Sequence, residues 1–195
     1  VVFLPMDITA GGETLTYCND WPDERITDFY KKLRGGLTAS TAQVAPLIYE
    51  EAFEKALQAG QDVLYLCFSS GMSRTISAAV ITAKELMEKY PDRVIECVDS
   101  GCATLSEGMM VMELLKNRAA GMGVRENAEA LRAKALSFAS WFTVEDLMYL
   151  KRGGRISSFS AIVGSTLHIM PVMHIDTQGR LVVVDKVQGR KAALK

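Results

Sequence analysis

The chain has 195 residues, 49% hydrophobic and 23% charged, with 22 Lys and Arg against 23 Asp and Glu. That composition belongs to a soluble globular protein of one large domain or one and a half smaller ones. A net charge of -1 gives no general attraction to nucleic acid or to an anionic membrane, and no apolar run approaches the roughly 18 residues of a membrane span.

Residues 1–9 read as a strand, Gly11-Gly12 as a turn and 13–17 as the returning strand. Pro22 opens a helix carrying Ile26, Phe29, Tyr30 and Leu33, which stops at Gly35-Gly36. A small, hydroxyl-rich segment follows over 37–44. Pro46 then starts a second helix with Leu47, Ile48, Ala52 and Ala56 on one stripe, ended by Gly60. Val63-Leu64-Tyr65-Leu66-Cys67-Phe68 is an unbroken apolar run, as expected of a strand buried on both faces of a parallel sheet. The turn Ser69-Ser70-Gly71-Met72-Ser73-Arg74-Thr75 comes next. Ile76, Ala79, Val80, Ala83, Leu86 and Met87 then recur at helical spacing.

In open α/β sheets such a turn sits at the carboxyl end of the strands, where ligands bind. Amides at the helix start, helped by serine hydroxyls, can hold an anion. The same serines can instead simply cap the helix, and the stretch alone leaves both readings open.

Pro91 breaks that helix, and 94–98 form the next strand, ending in Asp99-Ser100-Gly101. A helix runs from about Leu105 through the Met109–Met112 run, read mainly as core, and closes at Gly121 and Gly123. Another is expected over 125–139, then a short strand over 141–144. The alternation of strand and helix argues for a parallel α/β sheet. Lys151-Arg152-Gly153-Gly154-Arg155 is a basic turn. A short helix over 161–167 leads to a hairpin over 168–184 with its turn at Gln178-Gly179. This gives a first α/β domain over 1–156 and the start of a second over 157–195.

Cys18, Cys67, Cys97 and Cys102 form no CxxC pair, which favours reduced thiols in a cytoplasmic protein. His168 and His174 lack an HExxH-type setting, so no metal site is expected.

The segments, in this order, resemble the DegV family of fatty-acid-binding proteins across nearly the whole chain. Residues 1–8 look like the family's VVPL strand. Thr41-Ala42-Gln43-Val44-Ala45-Pro46 is similar to TSQPSP, and 69–75 to SSGLSGT. Asp99-Ser100 with Ser106 and Gly108 resembles DS…S.G, and 149–157 match YLKKGGRIS almost letter for letter. Thr41-Ala42 lacks the serine that follows the threonine, Val44 and Ala45 replace proline and serine, and Arg74 stands where glycine is usual.

The resemblance implies a long-chain fatty acid held between two α/β domains. Its carboxylate would lie on the Ser/Thr turns, with Thr41, Ser69, Ser70, Gly71, Ser73 and Arg155 as ligand-binding residues. It implies a fatty acid kinase subunit as partner, no cofactor and no catalysis by the protein itself. Ser70, Ser73 and Thr41 can supply hydroxyls to a carboxylate, and Gly71 permits close approach of backbone N–H groups. Arg155 can face the carboxylate or a partner. Asp99 and Ser100 can hold their loop by an Asx turn instead of touching ligand. Set against the family, the chain reads as truncated at both ends, and the apolar face of the 169–184 hairpin is expected to lack its natural cover or to be covered by another chain.

Two rival functions follow from the same residues. A serine hydrolase would use Ser70 or Ser73 with His168 or His174, but the G-x-S-x-G elbow lacks its last glycine at Thr75. A phosphate or nucleotide binder would use Gly153-Gly154-Arg155, yet GxxxxGK[ST] and GxGxxG are both absent.

Overall fold

The computed structural model describes residues 1–156 and 169–195. The helix expected over 161–167, His168 and the start of the second domain set at 157 lie outside the described residues. The protein is a mixed α/β fold with two compact units that interleave along the chain. One comprises Val1–Val63 and Ser77–Ile95, the other Leu64–Ile76 and Glu96–Lys195.

In the first unit, β1 (Met6–Ala10) and β2 (Glu13–Tyr17) form a hairpin whose register pairs Ala10 with Glu13. The two residues left between them are Gly11 at φ 60° and Gly12 at φ 84°. A two-residue turn matching strand twist needs positive φ at both positions, which glycine supplies without steric cost. The segment read as merely hydroxyl-rich contains a third strand, β3 (Ala39–Thr41), antiparallel to β1 on its other edge.

Helix α1 (Asp23–Arg34) carries Asp23 and Glu24 in its first turn and Lys31, Lys32 and Arg34 in its last, matching the helix dipole at both ends. Trp21 is buried at its entry, edge-on to Tyr17 and Phe29, with the Arg25 guanidinium 4.2 Å above its ring. Helix α2 (Pro46–Gln58) buries Tyr49, Phe53 and Leu57, spaced four apart on one face. Ala79, Ala83 and Leu86 are the buried face of α3 (Thr75–Lys89).

In the second unit, the apolar run becomes β4 (Val63–Cys67), paired in parallel with β5 (Ile95–Asp99). Helices α4 (Thr104–Ala119) and α5 (Val124–Lys134) cover a core of Val98, Cys102, Met110, Ala128 and Leu131, joined by Leu64, Leu66 and Phe138. α5 stops earlier than its sequence suggests. Ala135–Ser137 tighten into a 3-10 turn, after which Phe138 packs onto that core.

The short strand β6 (Trp141–Phe142) corrects a further expectation. It does not extend the parallel alternation but pairs antiparallel with β7 (Ile169–Ile175), which pairs with β8 (Leu181–Gln188). One sheet therefore joins residues on both sides of 156. The hairpin's apolar face is also not bare. Met173 is fully buried and packs with Leu147 and Ile156, flanked by Phe142, Val144 and Leu150. Its cover comes from the segment holding α6 (Met148–Arg152). Helix α7 (Arg190–Ala193) follows β8.

The methionine run divides by helical phase. Met110 is 0% exposed, whereas Met109 is 59% and Met112 67% exposed, so only Met110 is fully core. Met110→Ala should cost about 2–5 kcal/mol, the range for emptying a buried large side chain, and Met112→Ala only about 0.5 kcal/mol or less. Urea melts of the two variants check this; equal losses would contradict the helix phase.

Candidate functional site

The strand-to-helix turn after β4 is organised around Ser69, which is fully buried. Its amide donates to the Cys102 carbonyl at 3.0 Å, and its carbonyl accepts the amides of Met72 at 3.1 Å and Ser73 at 3.0 Å. Its hydroxyl donates to the Gly179 carbonyl at 2.7 Å and accepts the Gly71 amide at 3.2 Å. The Ser70 amide donates to Asp99 Oδ1 at 3.1 Å. Ser73 Oγ accepts the Thr75 amide at 3.3 Å, at the first residue of α3.

The reading of open amides at this helix start is thereby corrected. The amides of Ser69 through Ser73 are spent inside the fold, because a turn this tight must satisfy its own buried donors. Ser73 does the work of a cap. Only the Ser70 hydroxyl, among the three serines, makes no hydrogen bond among the described residues, and Ser70 is exposed.

Three further turns converge here. Asp99 Oδ1 also accepts the Gly101 amide at 2.9 Å, the Asx turn foreseen from its sequence. Ser100 is buried, its hydroxyl donating to the Cys102 carbonyl at 3.1 Å and accepting the Cys102 amide at 3.0 Å. Arg155 Nε donates to the Met72 carbonyl at 3.1 Å, and its guanidinium also bonds the Gly153 carbonyl. The basic Gly-Gly-Arg turn is therefore tied directly to the serine turn. Arg74 is exposed, and its side chain has no partner among the described residues. The hairpin turn at Gln178-Gly179 is the third, held through Ser69.

The structure thus brings together Ser69, Ser70, Gly71, Ser73 and Arg155. Thr41 lies in the other compact unit, exposed, at the end of β3 opposite Ile8.

His174 stacks on Trp141 with ring centroids 5.0 Å apart, and no hydrogen bond links it to Ser70 or Ser73. No group of His, Cys, Asp and Glu among the described residues is arranged to hold a metal. The cysteines are unpaired. Burial pushes the Cys67 thiol to about 11 and the Cys97 thiol to about 12, and raises Cys102. Thiolates are the reactive form, so these three behave as small apolar side chains. No helix among the described residues is long and apolar enough to cross a membrane.

Sequence reasoning missed two features. Asp176 frames the hairpin turn, accepting the amides of Gln178 and Arg180 at 2.9 Å each on Oδ1 and the Arg180 guanidinium on Oδ2. The spacing Asp176-Thr177-Gln178-Gly179 carries that signal. Glu107, in the first turn of α4, is half-buried with no hydrogen bond or ion pair among the described residues. Burial pushes its carboxyl up to about 7. No sequence signal marks it, since its position on α4 is otherwise ordinary.

The whole chain, residues 1–195, matches the family model described as an uncharacterised protein, DegV family. A DegV domain-containing protein of Clostridium perfringens is 40% identical over 167 residues, covering 86% of this chain and 57% of that protein. A solved structure described as fatty acid binding of a DegV family protein from Thermus thermophilus superposes with a TM-score of 0.79 at 29% identity, over 97% of this chain and 65% of that one. The Streptococcus pneumoniae fatty acid kinase B3 protein, loaded with linoleic acid, gives a TM-score of 0.83 over 98% of this chain and 66% of that one. At 20% identity that last likeness is one of fold. The chain therefore spans between 57% and 66% of the length of these relatives.

Glu107 sets a pH dependence. A carboxyl whose folded value is raised from 4.5 to about 7 favours folding in its neutral form. Its contribution is full below about pH 4.5 and is lost as pH rises through 7. Glu54, Glu113 and Asp176 are held below the usual carboxylate range by hydrogen bonds from Lys89, Lys134 and the Arg180 amide, so they act at the acid end instead. Thermal melts of the wild type should fall between pH 5 and 8, and Glu107→Gln should flatten that fall. An unchanged slope would contradict the assignment.

Proposed function

The chain belongs to the DegV family, and from that premise we propose that it binds a long-chain fatty acid with the carboxylate on its hydroxyl-bearing turns. The observation that carries this reading is the Ser70 hydroxyl, exposed and without a hydrogen bond among the described residues, on a turn whose amides over 69–73 and whose Ser69 and Ser73 hydroxyls are committed. A single carboxylate needs neutral donors held in place in advance, since hydrogen bonds to a charged acceptor are among the stronger ones. Ser69, Gly71 and Ser73 build the turn, and Arg155 braces it through the Met72 carbonyl. Thr41 enters through its motif alone. The fatty acid binding described for the Thermus thermophilus relative supports the ligand class.

Two finer elements belong to the same proposal. The acyl chain runs between a first domain over 1–156 and a second that begins at 157. The protein itself does no chemistry and presents the fatty acid to a kinase for phosphorylation. The fold likeness to the Streptococcus pneumoniae fatty acid kinase B3 protein supports that role.

Losing a hydrogen bond to a charged group costs about 1.5–3 kcal/mol. Ser70→Ala and Thr41→Val should therefore each weaken fatty acid binding roughly ten- to a hundredfold, read by titration of the full-length protein. If both bind like the wild type, the carboxylate sits elsewhere and Arg155 is the next residue to replace. Lipid extracts free of fatty acid from every preparation would overturn the reading.

A further inference from the structure

The β7–β8 turn meets the serine turn backbone to backbone. A Cβ on Gly71 would stand 2.6 Å from the carbonyl carbon and oxygen of Gly179, so no side chain fits there. In return, Gly179 has φ +69°, and a Cβ there would strike Ser69 Oγ, with Ser69 Cβ at 3.4 Å and Gly101 Cα at 3.5 Å. Gly179 is thus wedged against both the turn after β4 and the turn after β5. Its carbonyl holds the buried Ser69 hydroxyl at 2.7 Å.

The hairpin turn is itself rigid. The Gly179 amide donates to the Asp176 carbonyl and the Asp176 amide to the Arg180 carbonyl, both at 2.9 Å. The Asp176 carboxylate fixes the amides of Gln178 and Arg180. A rigid, distant piece of chain therefore fixes Ser69, and Ser69 immediately precedes the one serine of this turn whose hydroxyl makes no hydrogen bond among the described residues.

We propose that Gly179, on the turn framed by Asp176, is a positioning residue for carboxylate recognition: through Ser69 and Gly71 it sets where the Ser70 hydroxyl points. This rests on the fatty acid reading above. The general reason is geometric. A neutral hydroxyl discriminates a carboxylate from an uncharged head group only when it is held to within a fraction of an ångström. The backbone of the serine turn is held by its own bonds and by Asp99, Cys102 and Arg155. The hairpin adds a constraint on the Ser69 hydroxyl and against Gly71 from 110 residues away in sequence.

The test compares palmitic acid with hexadecanol on the full-length protein, for the wild type, Gly179→Ala, Ser69→Ala, the double variant and Asp176→Ala. Amide hydrogen exchange over 69–75 is measured without ligand. Gly179→Ala should speed exchange over 69–75 and lower palmitic acid affinity by about tenfold or more, as expected of a lost charged hydrogen bond, while hexadecanol affinity stays as in the wild type. A loss confined to the acid separates positioning from general damage to the fold. Ser69→Ala removes the atom that the new methyl would strike, so the double variant should bind palmitic acid no more weakly than Ser69→Ala alone. Asp176→Ala should reproduce the acid-specific loss without any steric clash, and covers the case in which Gly179→Ala does not fold.

Unchanged acid affinity in a folded Gly179→Ala or Asp176→Ala protein would overturn the positioning role and leave fatty acid binding standing. Equal loss for acid and alcohol would overturn it also. A wild type with no preference for palmitic acid over hexadecanol would overturn the carboxylate reading itself, and this inference with it.

Discussion

A single buried residue, Ser69, links three separate stretches of this chain. Its oxygen donates to Gly179 and accepts from Gly71, while its backbone holds Cys102 on one side and Met72 and Ser73 on the other. A buried hydroxyl left without partners would cost about 1–3 kcal/mol. The same group fully bonded fixes the relative placement of everything it touches. Glycine at 71 and 179 makes this possible, because two backbones can approach that closely only where neither carries a Cβ.

The polar groups around this point follow one rule. Ser100 satisfies Cys102 on both sides, Asp99 ties the Ser70 and Gly101 amides, and Arg155 takes the Met72 carbonyl. Buried or crowded donors are thus met by neighbours within the cluster, which leaves few groups to greet a ligand. Ser70 stands out against that economy. Arg74 does so as well, as an exposed cation without a partner among the described residues, in the place where the family resemblance expects glycine.

Apolar burial anchors the same arrangement from below. The core of Val98, Cys102, Met110, Ala128 and Leu131 lies beneath the β5 turn. A separate cluster of Leu147, Ile156 and Met173 holds the hairpin to the segment on both sides of Arg155. The hairpin turn and the Gly-Gly-Arg turn are therefore carried by one packed body. Movement of that body would displace both of its links to the serine turn together.

The sequence by itself determined the local structure. Pro22, Pro46 and Pro91, the paired glycines at 11–12 and 35–36, and the apolar run at 63–68 each act through their own backbone or their nearest neighbours. Those elements were legible for that reason, as was the Asx turn at Asp99, and the family resemblance followed from the order of motifs, whereas β3 became a strand only through its pairing with β1. What each residue does within its turn was decided by tertiary structure. Trp141–Phe142 reads as a strand, but its partner is set by residues beyond 168. Ser69, Ser70 and Ser73 are chemically identical in the sequence. The Ser69 hydroxyl finds its acceptor only in Gly179, whereas the Ser73 hydroxyl accepts the amide of its local neighbour Thr75. The long-range contact with Gly179 is what sets Ser69 apart from Ser70, and periodicity and composition carry no record of it.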